Sequence, residues 1–178
     1  EAADALGAFV SALRRVPTEP APTEGTFRAG PLGRFDGDFR DWVERLPADV
    51  DRLAVLRTWE ACRSVGEWDA LPTWLHGDLR GDNLIASRGR LVAVIDWEGC
   101  AVGDPSVDLL PAWWLFEPAS RETFRNAIGV EDSEWGRAKG WALHMAVSAL
   151  GYYAETNEFF FDQARRALGQ ILADRDRS

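Results

Sequence analysis

The sequence predicts a mostly α-helical domain that carries one small β hairpin patch. Apolar residues recur every three or four positions along most of the chain, which is the spacing of one helix face. Near the middle of the chain this spacing gives way to short runs of strand character separated by turn residues. The 178 residues, 46% of them hydrophobic, fall within the usual size of one domain, so we expect a single domain over residues 1–178.

The first part of the chain is predicted to form three helices and a loop. Leu6 and Val10 belong to an apolar face that predicts a helix over residues 2–16, and Pro17 closes it. Residues 17–34 are rich in proline and glycine, which is the composition of a loop. Two further helices are predicted near residues 35–46 and 48–64, separated at Pro47.

The middle of the chain is predicted to contain three short strands. Residues 91–95 form the clearest strand, and the turn at residues 87–90 joins them to residues 83–86 as a hairpin. Residues 73–75 form another short run of strand character. Beyond this patch the sequence again predicts helices, at about residues 105–117, 119–128, 133–154 and 157–174.

Composition narrows the classes of function. The net charge of −9 argues against nucleic-acid binding, which needs a basic patch, and permits attraction of a cationic ligand. The absence of a long apolar run and of a secretory leader predicts no membrane association. Cys62 and Cys100 lie in no metal-binding or disulfide pattern, which favours reduced thiols in the cytoplasm. The oligomeric state is not indicated.

Polar residues interrupt the strand patch and suggest chemistry. Four polar residues stand beside apolar strand residues: Asp78, Asp82, Asn83 and Asp96. Carboxylates are rarely placed so close to a core unless they are paired or have a function. Phosphoryl transfer requires a carboxylate that accepts the proton of the attacking hydroxyl and oxygen ligands that hold Mg²⁺ on nucleotide phosphates. Asp78 could serve as the base, and the hairpin would bring Asn83 and Asp96 to one end as metal ligands.

Three motifs carry a family resemblance. They are His-Gly-Asp-Leu-Arg-Gly-Asp-Asn-Leu-Ile at residues 76–85, Val-Ile-Asp-Trp at residues 94–97 and Gly-Asp-Pro-x-x-Asp-Leu at residues 103–109. In this order they resemble the aminoglycoside phosphotransferase family, a small-molecule branch of the protein-kinase-like fold. The close match covers about residues 72–112, and the helices around it are similar to the C-terminal lobe of that fold. Glycine at position 77 and Trp-Glu at 97–98 depart from the protein-kinase pattern.

The resemblance implies a role for individual residues. Asp78 matches the catalytic base of the loop at residues 76–83, and Asn83 and Asp96 match the Mg²⁺ ligands, the latter within the segment at residues 91–108. His76 would orient the catalytic loop, and Asp108 would brace it from below. The implied cofactors are Mg²⁺ and ATP or GTP.

Other roles have simple structural alternatives. Ile85 and Ile95 would lie under the nucleotide base in the family arrangement, although strand packing explains them equally well. Glu155, Glu158 and Asp162 are candidates for binding a cationic acceptor, but they could be only the solvated face of a helix. Structural interpretations are favoured for three further residues: the helix cap Asp104, the core histidine His144 and the packing tryptophan Trp113.

Two parts of the kinase template are missing from the sequence. Gly25, Gly30, Gly33 and Gly37 do not form a glycine-rich phosphate loop, and the only lysine, Lys139, follows the catalytic loop instead of preceding it. Residue 1 is Glu, and the first helix resembles the one that follows the inter-lobe hinge. We therefore expect that the N-terminal nucleotide lobe is not present and that the isolated chain has negligible kinase activity.

The leading hypothesis is a kinase that transfers the γ-phosphoryl group of ATP or GTP to a hydroxyl of a small molecule, with an aminoglycoside as the first candidate acceptor. The alternative is a non-catalytic binding or regulatory module formed by a lone C-terminal lobe. A metal-dependent hydrolase that uses His76, Asp78 and Asp96 is a third possibility, but a chain with two histidines offers few ligands for it.

Overall fold

The computed structural model describes residues 1–19, 28 and 30–174 and confirms the predicted fold class, with helices around two small antiparallel sheets. Gly25 of the predicted proline-rich loop lies outside the described residues. The α-helices are α1 Ala2–Arg14, α2 Asp36–Glu44, α3 Arg52–Ser64, α4 Pro111–Trp114, α5 Pro118–Ile128, α6 Asp132–Tyr153 and α7 Glu158–Ala173. The strands are β1 Thr73–Leu75, β2 Leu84–Ser87, β3 Arg90–Val94 and β4 Ala101–Gly103.

Helix α6 is the centre of the domain. It packs against α2, α3, α4 and α7, and most of its residues are buried, which a helix in the middle of a helical layer requires. Its neighbours supply large rings: Phe39 of α2 stacks on Trp59 of α3 with ring centroids 4.0 Å apart. This aromatic core gives the polar loops at one end of the domain a fixed support.

The hairpin was predicted correctly, and a second sheet was missed. Strands β2 and β3 pair antiparallel, with Leu84 opposite Val94. Strand β1 pairs antiparallel with β4, a three-residue strand that the sequence did not predict because so short a run shows no alternation. These two small sheets hold the ends of the catalytic loop at residues 76–83.

The single helix predicted over residues 105–117 is wrong. A 3₁₀ helix covers Pro105–Leu109, and the separate helix α4 starts at Pro111. Proline lacks an amide hydrogen and clashes with the preceding turn, so Pro111 breaks the helix and begins a new one. This break turns Trp113 into the core, where it is fully buried, and leaves Trp114 beside a surface cavity.

Candidate active site

The catalytic loop turns at Gly77, its second residue, which no other residue could replace without strain. Gly77 has a φ of +81°, and a Cβ atom added there would lie 2.3 Å from the carbonyl oxygen of Gly99. Both the left-handed backbone and the close approach require glycine. The loop from β1 therefore turns tightly toward the segment that follows β3, and this turn presents Asp78.

A buried carboxylate supports the loop from below. Asp108 is 2% exposed, and its two oxygens accept hydrogen bonds from the backbone N–H groups of His76, at 2.6 Å, and Gly77, at 2.8 Å. Burial raises the pKa of Asp108, and these two hydrogen bonds oppose that shift. The loop thus rests on a carboxylate whose hydrogen-bonding capacity is directed at its first two amides.

The ring of His76 is buried and fully engaged. Its Nε2 lies 3.0 Å from the carbonyl oxygen of Ile95, and its Nδ1 accepts from the backbone N–H of Asp78 at 3.3 Å. Because a carbonyl can only accept and an amide N–H can only donate, this pattern assigns the neutral Nε2–H tautomer. The ring links the loop to the end of β3 and has no free nitrogen for a metal, which disfavours the hydrolase hypothesis.

The two predicted metal ligands, Asn83 and Asp96, lie at the same end of the hairpin. The backbone N–H of Ile95 donates to the carbonyl oxygen of Asn83 at 3.0 Å, which joins the residue before β2 to the residue before Asp96. The side-chain amide of Asn83 donates to the backbone oxygen of Asp78 at 2.8 Å and to its carboxylate at 3.2 Å. With the amide nitrogen committed to acceptors, Oδ1 is the atom left to bind a cation.

Asp96 has an unusual backbone. Its φ of 63° and ψ of 70° lie in the left-handed region, which costs a residue other than glycine roughly 1–3 kcal/mol. Its side chain is exposed. Across residues 1–19, 28 and 30–174, no three His, Cys, Asp or Glu side chains form a metal cluster, so a hard cation here would need oxygens from a phosphate-bearing ligand.

Two arginines flank Asp78. Arg28 forms an ion pair with Oδ1 of Asp78 and donates to the carbonyl oxygen of Gly77 at 2.9 Å. Arg80 lies 3.3 Å from Oδ2 of Asp78 and also pairs with Asp82 at 3.1 Å. Arg28 was not predicted, because it stands 50 residues before Asp78 and only the tertiary fold brings the two together.

A cavity of about 190 Å³ opens next to this ion-pair cluster. Arg28 and Arg80, the two partners of Asp78, form part of its lining. The rest of the lining comes from α2, α4, α6 and the first turn of α7, and most of it is aromatic: Trp42, Trp114, Tyr152, Tyr153 and Phe160. Tyr152 and Tyr153 were not predicted as site residues, because their sequence pattern does not differ from that of ordinary core tyrosines.

Of the remaining predicted site residues, two isoleucines lie exposed on the hairpin beside the site, and three acidic residues lie elsewhere on the surface. Ile85 and Ile95 are 45% and 42% exposed, so strand-core packing does not explain them. Glu155, Glu158 and Asp162 come together in a separate depression, formed by residues 154–158, 161 and 162, that shares no lining residue with the aromatic cavity.

Two of the residues with predicted structural roles, Asp104 and His144, have the expected contacts. Asp104 caps the 3₁₀ helix by accepting from the N–H of Ser106 at 3.0 Å. His144 is buried among rings and lies 3.1 Å from a carboxylate oxygen of Asp38. Lys139 is buried in α6 and donates to the backbone oxygen of Asp174, away from the catalytic loop.

Two comparisons of sequence identify relatives. Residues 1–141 match the family model described as "Phosphotransferase enzyme family". An aminoglycoside 3'-phosphotransferase of Escherichia coli is 28% identical over 137 residues, which cover 74% of this chain and 50% of that protein. The chain thus spans about half the length of this curated relative.

Comparison with solved structures also finds phosphotransferases that are similar to this chain. A macrolide 2'-phosphotransferase from Brachybacterium faecium is 27% identical with a TM-score of 0.56, covering 93% of this chain and 58% of the other. A thermostable mutant of the aminoglycoside phosphotransferase APH(4)-Ia, in ternary complex with AMP-PNP and hygromycin B, has a TM-score of 0.63 at 18% identity and covers 96% of this chain and 63% of the other. At that identity the second likeness shows the fold alone. None of the described helices is both long and apolar enough to cross a membrane.

Proposed function

The chain belongs to the phosphotransferase enzyme family, and from this premise we propose that its site transfers the γ-phosphoryl group of ATP or GTP to a hydroxyl of a small molecule, with Asp78 as the base. The observation that carries the proposal is the loop geometry. Asp78 pairs with two residues that line the cavity, and hydrogen bonds of Asp108, His76 and Asn83 fix the backbone around it. A base fixed in this way is preorganised for an incoming hydroxyl.

The proposed phosphoryl transfer needs only the acceptor hydroxyl, the nucleotide and the carboxylate of Asp78 as reacting groups. The acceptor oxygen attacks the γ-phosphorus and gives its proton to the carboxylate of Asp78. The bond between the γ-phosphorus and the bridging oxygen of the nucleotide breaks, and the nucleoside diphosphate leaves with the electron pair. Asn83 and Asp96 would hold Mg²⁺, which supplies charge neutralisation on the phosphates when bound.

Ile85 and Ile95 are proposed to contact the nucleotide base. Both stand on the exposed face or end of the hairpin, and exposed β-branched side chains beside a polar site offer an apolar surface to a planar ring. ATP and GTP are both compatible with this contact. Reaction in the cytoplasm remains a prediction from the cysteine usage.

We also propose that the 178 residues alone have negligible kinase activity. The one lysine of the chain is buried against Asp174, so it does not serve as a cation for the α- and β-phosphates. Aminoglycosides are the first acceptor candidates by the sequence-based expectation, and relatives named for macrolides widen the choice.

The proposal is tested by assaying the full-length gene product for nucleotide consumption with a panel of hydroxylated acceptors. Phosphate should appear on an acceptor hydroxyl in the presence of Mg²⁺ and ATP or GTP, as read by mass spectrometry of the products. A non-catalytic module would bind a partner without consuming nucleotide. Complete absence of transfer across the panel, in a folded protein, would contradict the proposal and favour that alternative.

A further inference from the structure

The cavity beside Asp78 has an aromatic wall at the corner between α6 and α7. The rings of Tyr153 and Phe160 stack with centroids 5.1 Å apart and an angle of 28°, and Tyr152 meets Tyr153 edge-on at 4.9 Å. Asn157 caps α7 by accepting from the N–H of Phe160 at 3.2 Å, which fixes the first turn of the helix and with it this ring. The wall is therefore a built surface and not a chance grouping of exposed rings.

The charged groups that line the cavity are already paired. Its described lining contains no carboxylate, and its two charged residues are Arg28 and Arg80. Both arginines are in ion pairs with carboxylates of the catalytic loop, Asp78 and Asp82. The Arg80 guanidinium carbon also lies 5.6 Å from the ring centre of Phe160, so the cation extends over the aromatic wall.

Such a lining does not attract a polycation. The described lining contains no carboxylate, and the charges of Asp78 and Asp82 are balanced by Arg28 and Arg80, so an ammonium group would find no excess negative charge there. The acidic side chains that could hold a polycation, Glu155, Glu158 and Asp162, line the other depression. An apolar molecular face, in contrast, would gain stacking area on the tyrosines and Phe160.

We propose that this aromatic cavity binds the acceptor and that the acceptor is a hydroxylated compound with an apolar face and no cluster of positive charges. The inference rests on the proposed function, because it assigns the substrate class of the same site. Arg28 and Arg80 line the cavity and contact Asp78, so a hydroxyl projecting from the bound face toward these arginines approaches the base. Selection of the acceptor thus depends mainly on the aromatic wall formed by α6 and α7, with Arg28 and Arg80 setting the charge balance.

Calorimetric titration of the full-length gene product tests this assignment with two probes. The first is a macrolide, which combines hydroxyl groups with an apolar macrocycle, and the second is hygromycin B, an aminoglycoside with several amino groups. Tyr152→Ala and Phe159→Ala form a matched pair, because the two side chains are 64% and 66% exposed but only Tyr152 lines the cavity. Both are surface changes, so both variants should fold.

The expected result is saturable macrolide binding that weakens roughly five- to tenfold in Tyr152→Ala, as the loss of one aromatic contact implies, and less than twofold in Phe159→Ala. Stronger binding of hygromycin B, weakened by joint replacement of Glu155, Glu158 and Asp162 with their amides, would overturn the inference. So would the absence of macrolide binding. Phosphoryl transfer to either probe is measured on the same samples, so the proposed function can stand when the acceptor class fails.

Discussion

The catalytic loop and the aromatic cavity lie side by side but are built in opposite ways. The loop is held by buried hydrogen bonds: Asp108 is 2% exposed and accepts from two consecutive backbone amides. The cavity wall is formed by half-exposed rings at a helix corner, and Tyr152 is 64% exposed. A reaction needs fixed polar geometry, whereas acceptor choice needs only a surface of suitable shape and charge. Substitutions should therefore affect rate in one region and acceptor affinity in the other.

After the replacement of Asp78 itself, the largest effect is expected at the proposed metal end of the loop region. Asp96→Asn removes an anionic oxygen, and we expect kcat/KM of the full-length gene product to fall about 10²- to 10³-fold, because metal stabilisation of the phosphates is worth several kcal/mol. The loss should shrink as the Mg²⁺ concentration rises. Steady-state kinetics at several Mg²⁺ concentrations measures this.

Glu98→Gln is the control for Asp96→Asn, since Glu98 is an exposed carboxylate two residues further along. It should change kcat/KM by less than threefold. Equal losses in the two variants would remove Asp96 from the metal site.

The next largest effect is expected on the stability of the folded chain when the glycine at the turn of the loop is replaced. Gly77→Ala should lower the free energy of unfolding by roughly 3 kcal/mol, because the backbone is left-handed and the new Cβ meets the Gly99 oxygen. Gly89→Ala is the matched control, with a φ of +75° but open space around it, and should cost about 1–2 kcal/mol. Urea denaturation of the three chains gives both values, and equal costs would show that the contact with Gly99 is unimportant.

The smallest effect is expected on the pH dependence of stability, through His144 in the core that supports both regions. Burial lowers the pKa of His144 from its ordinary 6.5, against the opposing influence of Asp38. The unfolded chain therefore takes up a proton at a higher pH than the folded chain, so the free energy of unfolding falls as the pH drops below about 6.5, by up to about 1.4 kcal/mol per pH unit. Denaturation at pH 7.5 and 5.5 should show this fall, reduced in His144→Gln. An identical pH dependence in the variant would show that His144 does not cause the fall in stability.

The two regions also differ in how far the sequence predicted them. The loop was recognised by the family resemblance of the motifs at residues 76–85, 94–97 and 103–109, and the hairpin by a clear strand with a recognisable turn. The break at Pro111 was missed because the apolar pattern on both sides of it is helical, although the proline itself was a signal.

The cavity was not predictable. Arg28 reaches Asp78 from a proline-rich segment, and Tyr152, Tyr153 and Phe160 meet only because the chain turns between α6 and α7. Such contacts depend on how elements pack and leave no periodic trace in the sequence. The acidic residues at 155, 158 and 162 were easier to notice by their charge, and the fold groups them in a different depression.

The central claim is that Asp78 is the base, and two carboxylates of the same loop test it. Asp78 and Asp82 both pair with Arg80, but only Asp78 is held by Asn83 beside the cavity. Single-turnover phosphoryl transfer and acceptor affinity should be measured for Asp78→Asn and Asp82→Asn in the full-length gene product. We predict a loss of about 10²- to 10⁴-fold in rate for Asp78→Asn with little change in acceptor affinity, and less than tenfold for Asp82→Asn. A rate near wild type in Asp78→Asn would contradict the account.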